Sequence, residues 1–106
     1  MDTGVRLKEN SKKLAQTVHG ISHEHRLAIA YLLAHGDMQE RDIVANIDLP
    51  QNLVAHHLNI MLGSGWVSKV KEGKFATYRL NPKALKTFDE LFEGTVYDRN
   101  FEKKYR

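Results

Sequence analysis

A chain of 106 residues has room for one hydrophobic core, so we expect a single domain over residues 1–106. Its 42% apolar and 27% charged residues are typical of a folded globular protein and exclude a disordered chain. The sequence has no cysteine, which excludes disulfides, thiolate metal sites and cysteine nucleophiles. Because no apolar stretch could span a bilayer and the N-terminus does not resemble a secretory signal, we expect a cytoplasmic protein without a membrane partner.

Helical periodicity predicts two helices in the first third of the chain. The first covers residues 5–19 and has a thin apolar stripe, which indicates that it packs against a partner. Ser22 is expected to cap the second helix. The run LAIAYLLA at 27–34 is apolar on nearly every side, which places the second helix at the centre of the domain.

The middle of the chain predicts a helix-turn-helix over residues 39–63, followed by a β-hairpin. A short third helix ends before Asp48, which takes the turn, and Pro50 begins a fourth helix that runs to Leu62. Two strand-like runs over residues 66–80 meet at Glu72–Gly73–Lys74, and a last helix covers 82–93. The order helix, helix, helix, helix, strand, strand, helix predicts a mostly α winged helix-turn-helix fold in which the hairpin is the wing.

The fourth helix has one apolar side and one narrow, polar, uncharged side. On a helical wheel the apolar side carries Val54, Leu58, Met61 and Leu62. The narrow side carries Asn52, Ala55, His56, Asn59 and Gly63. A slim helix face fits the DNA major groove, which is about 12 Å wide, and side-chain amides can pair with adenine. For Asn52 alone, a helix-capping role is an open alternative.

Three sequence blocks carry a resemblance to a known family. The segments ISHEHRLAIAYLLAHGDM, LVAHHLNIMLGSGWV and KEGKFATYRL occur in order and resemble the ArsR/SmtB family of small winged-helix transcriptional repressors over about residues 18 to 85. The resemblance implies a homodimer joined through its first and last helices. The expected dimer-interface residues are Leu7, Leu14, Val18, Leu85, Phe88 and Phe92, and the homodimer would cover Phe88 and Phe92, which are expected to be exposed on a single chain. The expected DNA-binding residues are Gln51, Asn52, Ala55, His56 and Asn59 in the fourth helix and Lys69, Lys71 and Lys74 in the wing.

The sequence predicts neither a metal ion nor another cofactor. The family's familiar metal sites use cysteines in the third helix or histidines in the last one, and both are missing from this sequence. His19, His23 and His25 lie close along the chain, but Gly20 breaks the helix between them, so hydrogen-bonded packing is the favoured reading. His57, on the inner flank of its helix, is expected to be partly buried and hydrogen-bonded.

The functional prediction is a transcriptional regulator, most simply a repressor that binds double-stranded DNA at a palindromic operator as a homodimer. The helix-turn-helix carries a net charge of minus two and the wing a net charge of plus three, so the phosphate affinity is assigned to the wing, to helix N-termini and to both ends of the chain. The acidic helix-turn-helix favours one alternative, a winged-helix protein-interaction adaptor. A non-specific architectural DNA-binding protein is another. The sequence has no phosphate-binding glycine loop and no spaced nucleophile and base, which argues against an enzyme.

Overall fold

The fold is described from a computed structural model, which defines residues 4–95 and 98, apart from the side chain of Leu14. Within these residues, five helices and three short strands follow one another. They are α1 (Gly4–His19), α2 (Glu24–His35), β1 (Met38–Gln39), α3 (Glu40–Ile47), α4 (Gln51–Gly63), β2 (Val67–Glu72), β3 (Phe75–Leu80) and α5 (Pro82–Phe92). The predicted winged helix-turn-helix fold is confirmed, with one additional strand.

Helix α2 forms the centre of the core. Its residues Ile29, Ala30 and Leu33 are buried, as expected for a helix that is apolar on nearly every side. The prediction that Ser22 caps this helix is wrong. His23 is the N-cap, and its Nδ1 accepts a hydrogen bond from the backbone N–H of His25 at 3.0 Å. The hydroxyl of Ser22 instead donates to the carbonyl oxygen of His19.

Helices α3 and α4 form the helix-turn-helix. Asp48 lies between them with a φ of 56°, in the left-handed region that aspartate tolerates better than most residues. The apolar side of α4 is anchored inward, because Val54, Leu58 and Met61 are fully buried. This anchoring leaves the opposite side of α4 facing away from the core.

The hairpin is joined to a third strand that the sequence analysis missed. Strands β2 and β3 pair antiparallel, and Glu72 lies opposite Phe75 across a two-residue turn in which Gly73 has a positive φ of 61°. Met38 and Gln39 pair with the other edge of β3, so the strand order is β1-β3-β2. The predicted start of the third helix at Gln39 is therefore one residue early. A two-residue strand is too short to show an alternating pattern.

Helices α1 and α5 carry apolar side chains that the chain itself leaves exposed. Leu7 and Val18 on α1 and Leu91 on α5 are exposed, whereas Leu85 and Phe92 are half-buried against the core. The expectation of an exposed Phe88 is wrong. Phe88 is fully buried and packs against the ring of Phe92, with 4.7 Å between the ring centroids.

The junction between α1 and the wing is tightly packed. Trp66 is buried, and its indole N–H donates to the carbonyl oxygen of Thr17 near the end of α1 at 2.5 Å. A Cβ atom on Gly20 would lie 2.3 Å from the Trp66 ring and 2.3 Å from the Ser64 hydroxyl. Only glycine therefore fits at position 20 without displacement of its neighbours.

Candidate DNA-binding surface

The outer side of α4 presents the polar residues that the helical wheel predicted. Gln51, Asn52, His56 and Asn59 are exposed, and Ala55 is half-buried between them. Pro50 is the N-cap of α4 and its side chain makes no capping hydrogen bond, so the alternative of Asn52 as the cap does not hold. The outer side of α4 is thus narrow and uncharged, with two asparagine amides along it.

Gln51 is tied to the first residue of α3. Its Nε2 donates a hydrogen bond to the Oε2 of Glu40 at 3.2 Å. One of the two amide hydrogens of Gln51 is therefore engaged within the protein, and a carboxylate lies beside the N-terminal end of α4. The sequence analysis missed this pair, because hydrophobic periodicity does not report contacts between polar side chains.

The wing adds a basic surface beside α4. Lys69, Lys71 and Lys74 are all exposed. The ammonium group of Lys69 lies 5.6 Å from the centroid of the Tyr78 ring, which orients the lysine side chain along the hairpin. Arg79, a further cation of the wing, is paired with Asp37 at 3.0 Å.

A cation–π contact joins the helix-turn-helix to the wing. The guanidinium of Arg41 on α3 lies 5.9 Å from the centroid of the exposed Phe75 ring on β3. A groove of about 260 Å³ runs between α3, the start of α4 and the wing, and both Gln51 and Lys74 line it. Arg41 therefore belongs to this surface, although the sequence analysis did not include it among the site residues.

Behind the outer side of α4, His57 is buried among other nitrogen-bearing side chains. It is 3% exposed, as the sequence analysis expected of a partly buried residue. Its Nδ1 lies 3.2 Å from Nη1 of the buried Arg26, and its Nε2 lies 3.2 Å from Nδ1 of His25. Burial, reinforced by the charges of His23, Arg26, His25 and His56, lowers the pKa of His57 to about 4. His57 is therefore uncharged at neutral pH.

Comparison with known proteins agrees with this architecture. Residues 23–69 match the family described as "Bacterial regulatory protein, arsR family". An HTH-type transcriptional regulator of Methanocaldococcus jannaschii is 31% identical over 86 residues, which cover 80% of this chain and 97% of the relative. The chain belongs to the arsR family of bacterial regulatory proteins. It is also similar to a cadmium resistance transcriptional regulatory protein, a CadC homolog, of Staphylococcus aureus, with 29% identity over 78% of this chain and 69% of that protein.

The solved structures of similar fold include a homodimer. The homodimeric winged helix-turn-helix DNA-binding domain from Mycobacterium bovis superposes with a TM-score of 0.77 at 20% identity, covering 99% of this chain and 95% of that one. The arsR family consists of DNA-binding transcriptional regulators and not of enzymes, and we assign this chain the same general function. Within the described part of the chain, no helix is long and apolar enough to cross a membrane.

Proposed function

We propose that two copies of this arsR-family chain bind a roughly palindromic duplex and repress transcription by blocking access of the polymerase. The observation that carries the proposal is the slim, exposed outer side of α4 beside the basic wing. In a two-fold symmetric dimer, the two α4 helices would enter successive major grooves, with half-sites about 10 base pairs apart or slightly more. A transcriptional regulator of this kind acts where the DNA that it binds is found, and we infer a cytoplasmic location for this chain.

The residues of α4 and the wing have different roles in this proposal. The amides of Asn52 and Asn59 lie on the outer side of α4, where they can pair with adenine N6 and N7 at the base edges. Lys71 and Lys74 in the wing contact phosphates, which fix the register of the protein on the duplex without reading its sequence. The net negative charge of the helix-turn-helix makes these wing lysines the main source of phosphate affinity.

The exposed apolar residues of α1 and α5 support the homodimer. Val5 is 70% exposed, Leu7 is 60% exposed and Leu91 is 54% exposed. Large apolar side chains that stay in contact with water are costly, and a second copy of the chain would cover them. The expected interface therefore consists of α1 and α5, with Leu91 added to the residues that the sequence suggested. Phe88 supports that surface from inside the core.

Selection of bound duplexes from a random pool, with the full-length chain, tests the proposal. We expect a recovered site with two inverted half-sites. Recovery of duplexes without a common sequence would indicate a non-specific architectural protein, and recovery of none at low salt would indicate a protein-interaction adaptor. Either result would contradict the proposed function.

The substitution Asn52→Ala tests the assigned reading face. Loss of one amide–adenine pair is expected to weaken binding to the selected site by about 5- to 150-fold, which corresponds to about 1–3 kcal/mol. Binding to unrelated duplex should not change, because Asn52 is not assigned a phosphate contact. Asn46→Ala, which removes an exposed asparagine whose amide donates to the carbonyl oxygen of Asp42 within α3, is the matched control and should bind the selected site as the original chain does.

A further inference from the structure

Three imidazole rings from two helices meet behind the outer side of α4. His23 and His25 come from the start of α2, and His57 comes from the middle of α4. The ring centroid of His23 lies 4.7 Å from that of His25 and 4.7 Å from that of His57, and the centroids of His25 and His57 are 5.2 Å apart. One ring nitrogen from each histidine lies within 4.8 Å of the other two. We propose that this histidine cluster is a site for a divalent transition-metal ion of the zinc type, which would link α2 to α4.

The spacing of the ring nitrogens is close to what such an ion requires. Zinc–nitrogen bonds of about 2.0–2.1 Å in tetrahedral geometry place the ligand atoms about 3.4 Å apart. Nδ1 of His25 and Nε2 of His57 are already 3.2 Å apart. His23 is exposed, so its ring can turn toward the other two without displacing core residues, and only the capping hydrogen bond that its Nδ1 accepts from the N–H of His25 has to adjust. A water molecule or another ligand can reach the fourth position from the solvent side.

Arg26 determines which proton the ion replaces. A guanidinium can only donate hydrogen bonds, so its contact with Nδ1 of His57 requires that Nδ1 carry no proton. In the neutral ring the proton is then on Nε2 and is donated to His25. An ion that binds His57 at Nε2 replaces the proton there, and that proton moves to Nδ1 of the same ring. Nη1 of Arg26 then loses its hydrogen bond to His57. The bond from Nη2 of Arg26 to the carbonyl oxygen of His19 is retained.

Glu24 places a negative charge next to His25, one of the three proposed ligands. Its Oε1 lies 3.9 Å from Nε2 of His25. With Nδ1 of His25 on the ion, the Nε2–H points toward this carboxylate, an arrangement that orients metal-bound histidines and strengthens their binding. Glu24 also offsets part of the charge repulsion between Arg26 and the ion.

The ligand set selects a class of ions. Imidazole nitrogens suit Zn²⁺, Ni²⁺ and Cu²⁺, whereas Mg²⁺ and Ca²⁺ prefer oxygen ligands. The sequence expectation of no metal considered His19, His23 and His25 along the chain. In the structure it is His57, from a distant part of the sequence, that completes the cluster. Because His56 is its neighbour on α4, an ion here would tie the outer side of α4 to α2.

Zinc titration of the full-length, DNA-free chain, monitored by calorimetry, tests the proposal. A parallel titration with Co²⁺, a spectroscopic substitute for zinc, is monitored by its absorbance. We expect one ion per chain. His23→Asn is the main variant, because asparagine also caps helices while removing the imidazole. We expect His23→Asn and His25→Gln each to weaken zinc binding at least tenfold. His35→Gln, which removes an exposed histidine at the other end of α2, should leave zinc binding unchanged.

Two results would overturn the site. One is equal zinc affinity of His23→Asn and the unmodified chain; the other is an equal loss in His35→Gln, which would indicate binding by surface histidines in general. Nitrogen NMR of the imidazole rings provides a readout that does not require substitution of the buried His57. The signals of His23, His25 and His57 should move on addition of zinc, and those of His35 should not. Since no DNA is present, failure here leaves the proposed function untouched.

Discussion

Gln51 and Glu40 are joined by a hydrogen bond in the groove between the helix-turn-helix and the wing. The amide of Gln51 donates to the carboxylate of Glu40 at 3.2 Å, and both residues line the groove between α3, α4 and β3. A negative charge thus lies beside the surface that we assign to DNA. It also restrains the side chain of Gln51, which the sequence assigned to base contacts.

We predict that Glu40→Ala tightens DNA binding by about two- to fivefold, because it removes one half-buried negative charge near the phosphates. The same substitution in a Gln51→Ala background separates the effect of the Glu40 charge on DNA binding from the effect of the hydrogen bond that restrains Gln51. The hydrogen bond contributes only when Gln51 is present, so the effects of the two substitutions should differ from additivity by about 0.5–1.5 kcal/mol. Fluorescence anisotropy with the selected duplex measures both quantities. Weaker binding by Glu40→Ala would contradict the assigned surface.

The wing lysines are predicted to set the salt dependence of DNA binding. We expect a shallow slope of log affinity against log salt, about 4 to 6 for the dimer, since each neutralised phosphate contributes about 0.9. Lys74→Ala removes one cation from each protomer and should reduce the slope by about 1.8. Lys86→Ala, an exposed lysine on α5, is the control and should leave the slope unchanged. Binding without any salt dependence would exclude the proposed phosphate contacts.

Gly20→Ala is predicted to destabilise the fold by about 1–3 kcal/mol, because the added methyl group would overlap the Trp66 ring and the Ser64 hydroxyl. Gly63→Ala is the matched control. Nothing lies within 4 Å of a Cβ atom at that position, which is the last residue of α4. The free energy of unfolding of the Gly63→Ala variant should be unchanged or raised by up to about 1 kcal/mol. Urea unfolding measures both, and equal stability of the two variants would be inconsistent with the packing at Gly20.

Leu7→Glu is predicted to weaken the homodimer at least tenfold. A charge at this exposed apolar position of α1 would have to be desolvated in the expected interface. Sedimentation velocity over a range of concentrations gives the dissociation constant. Lys71→Glu in the wing introduces the same side chain away from α1 and α5, and it should not change the oligomeric state. A Leu7→Glu chain that remains fully dimeric would exclude α1 from the interface.

The sequence alone predicted most of the backbone because helical periodicity is strong in this chain. The wheel of α4 correctly placed Val54, Leu58 and Met61 inside, and Asn52, His56 and Asn59 outside. Burial of one helix face follows from local spacing, so these assignments required no knowledge of the tertiary structure.

The cap of α2 is a local error, since His23 takes the place that was assigned to its neighbour Ser22. The other errors have a common cause, because they depend on contacts between distant parts of the chain. Phe88 was expected to be exposed, because a helical stripe does not reveal which apolar residue the chain's own core covers. The edge strand β1 exists only because β3 offers it hydrogen bonds. The histidine cluster was missed for the same reason, as the wheel showed that His57 faces inward but not that His23 and His25 lie there.

The single tryptophan of this sequence lies where it can report on the protein without a label. Trp66 is 1% exposed and its N–H is bonded to the carbonyl oxygen of Thr17, so its emission depends on the contact between the end of α1 and the base of the wing. Any event that shifts α1, whether assembly of two copies or loosening of the fold, will alter the polarity around the indole. Intrinsic fluorescence therefore gives a direct optical signal for this junction.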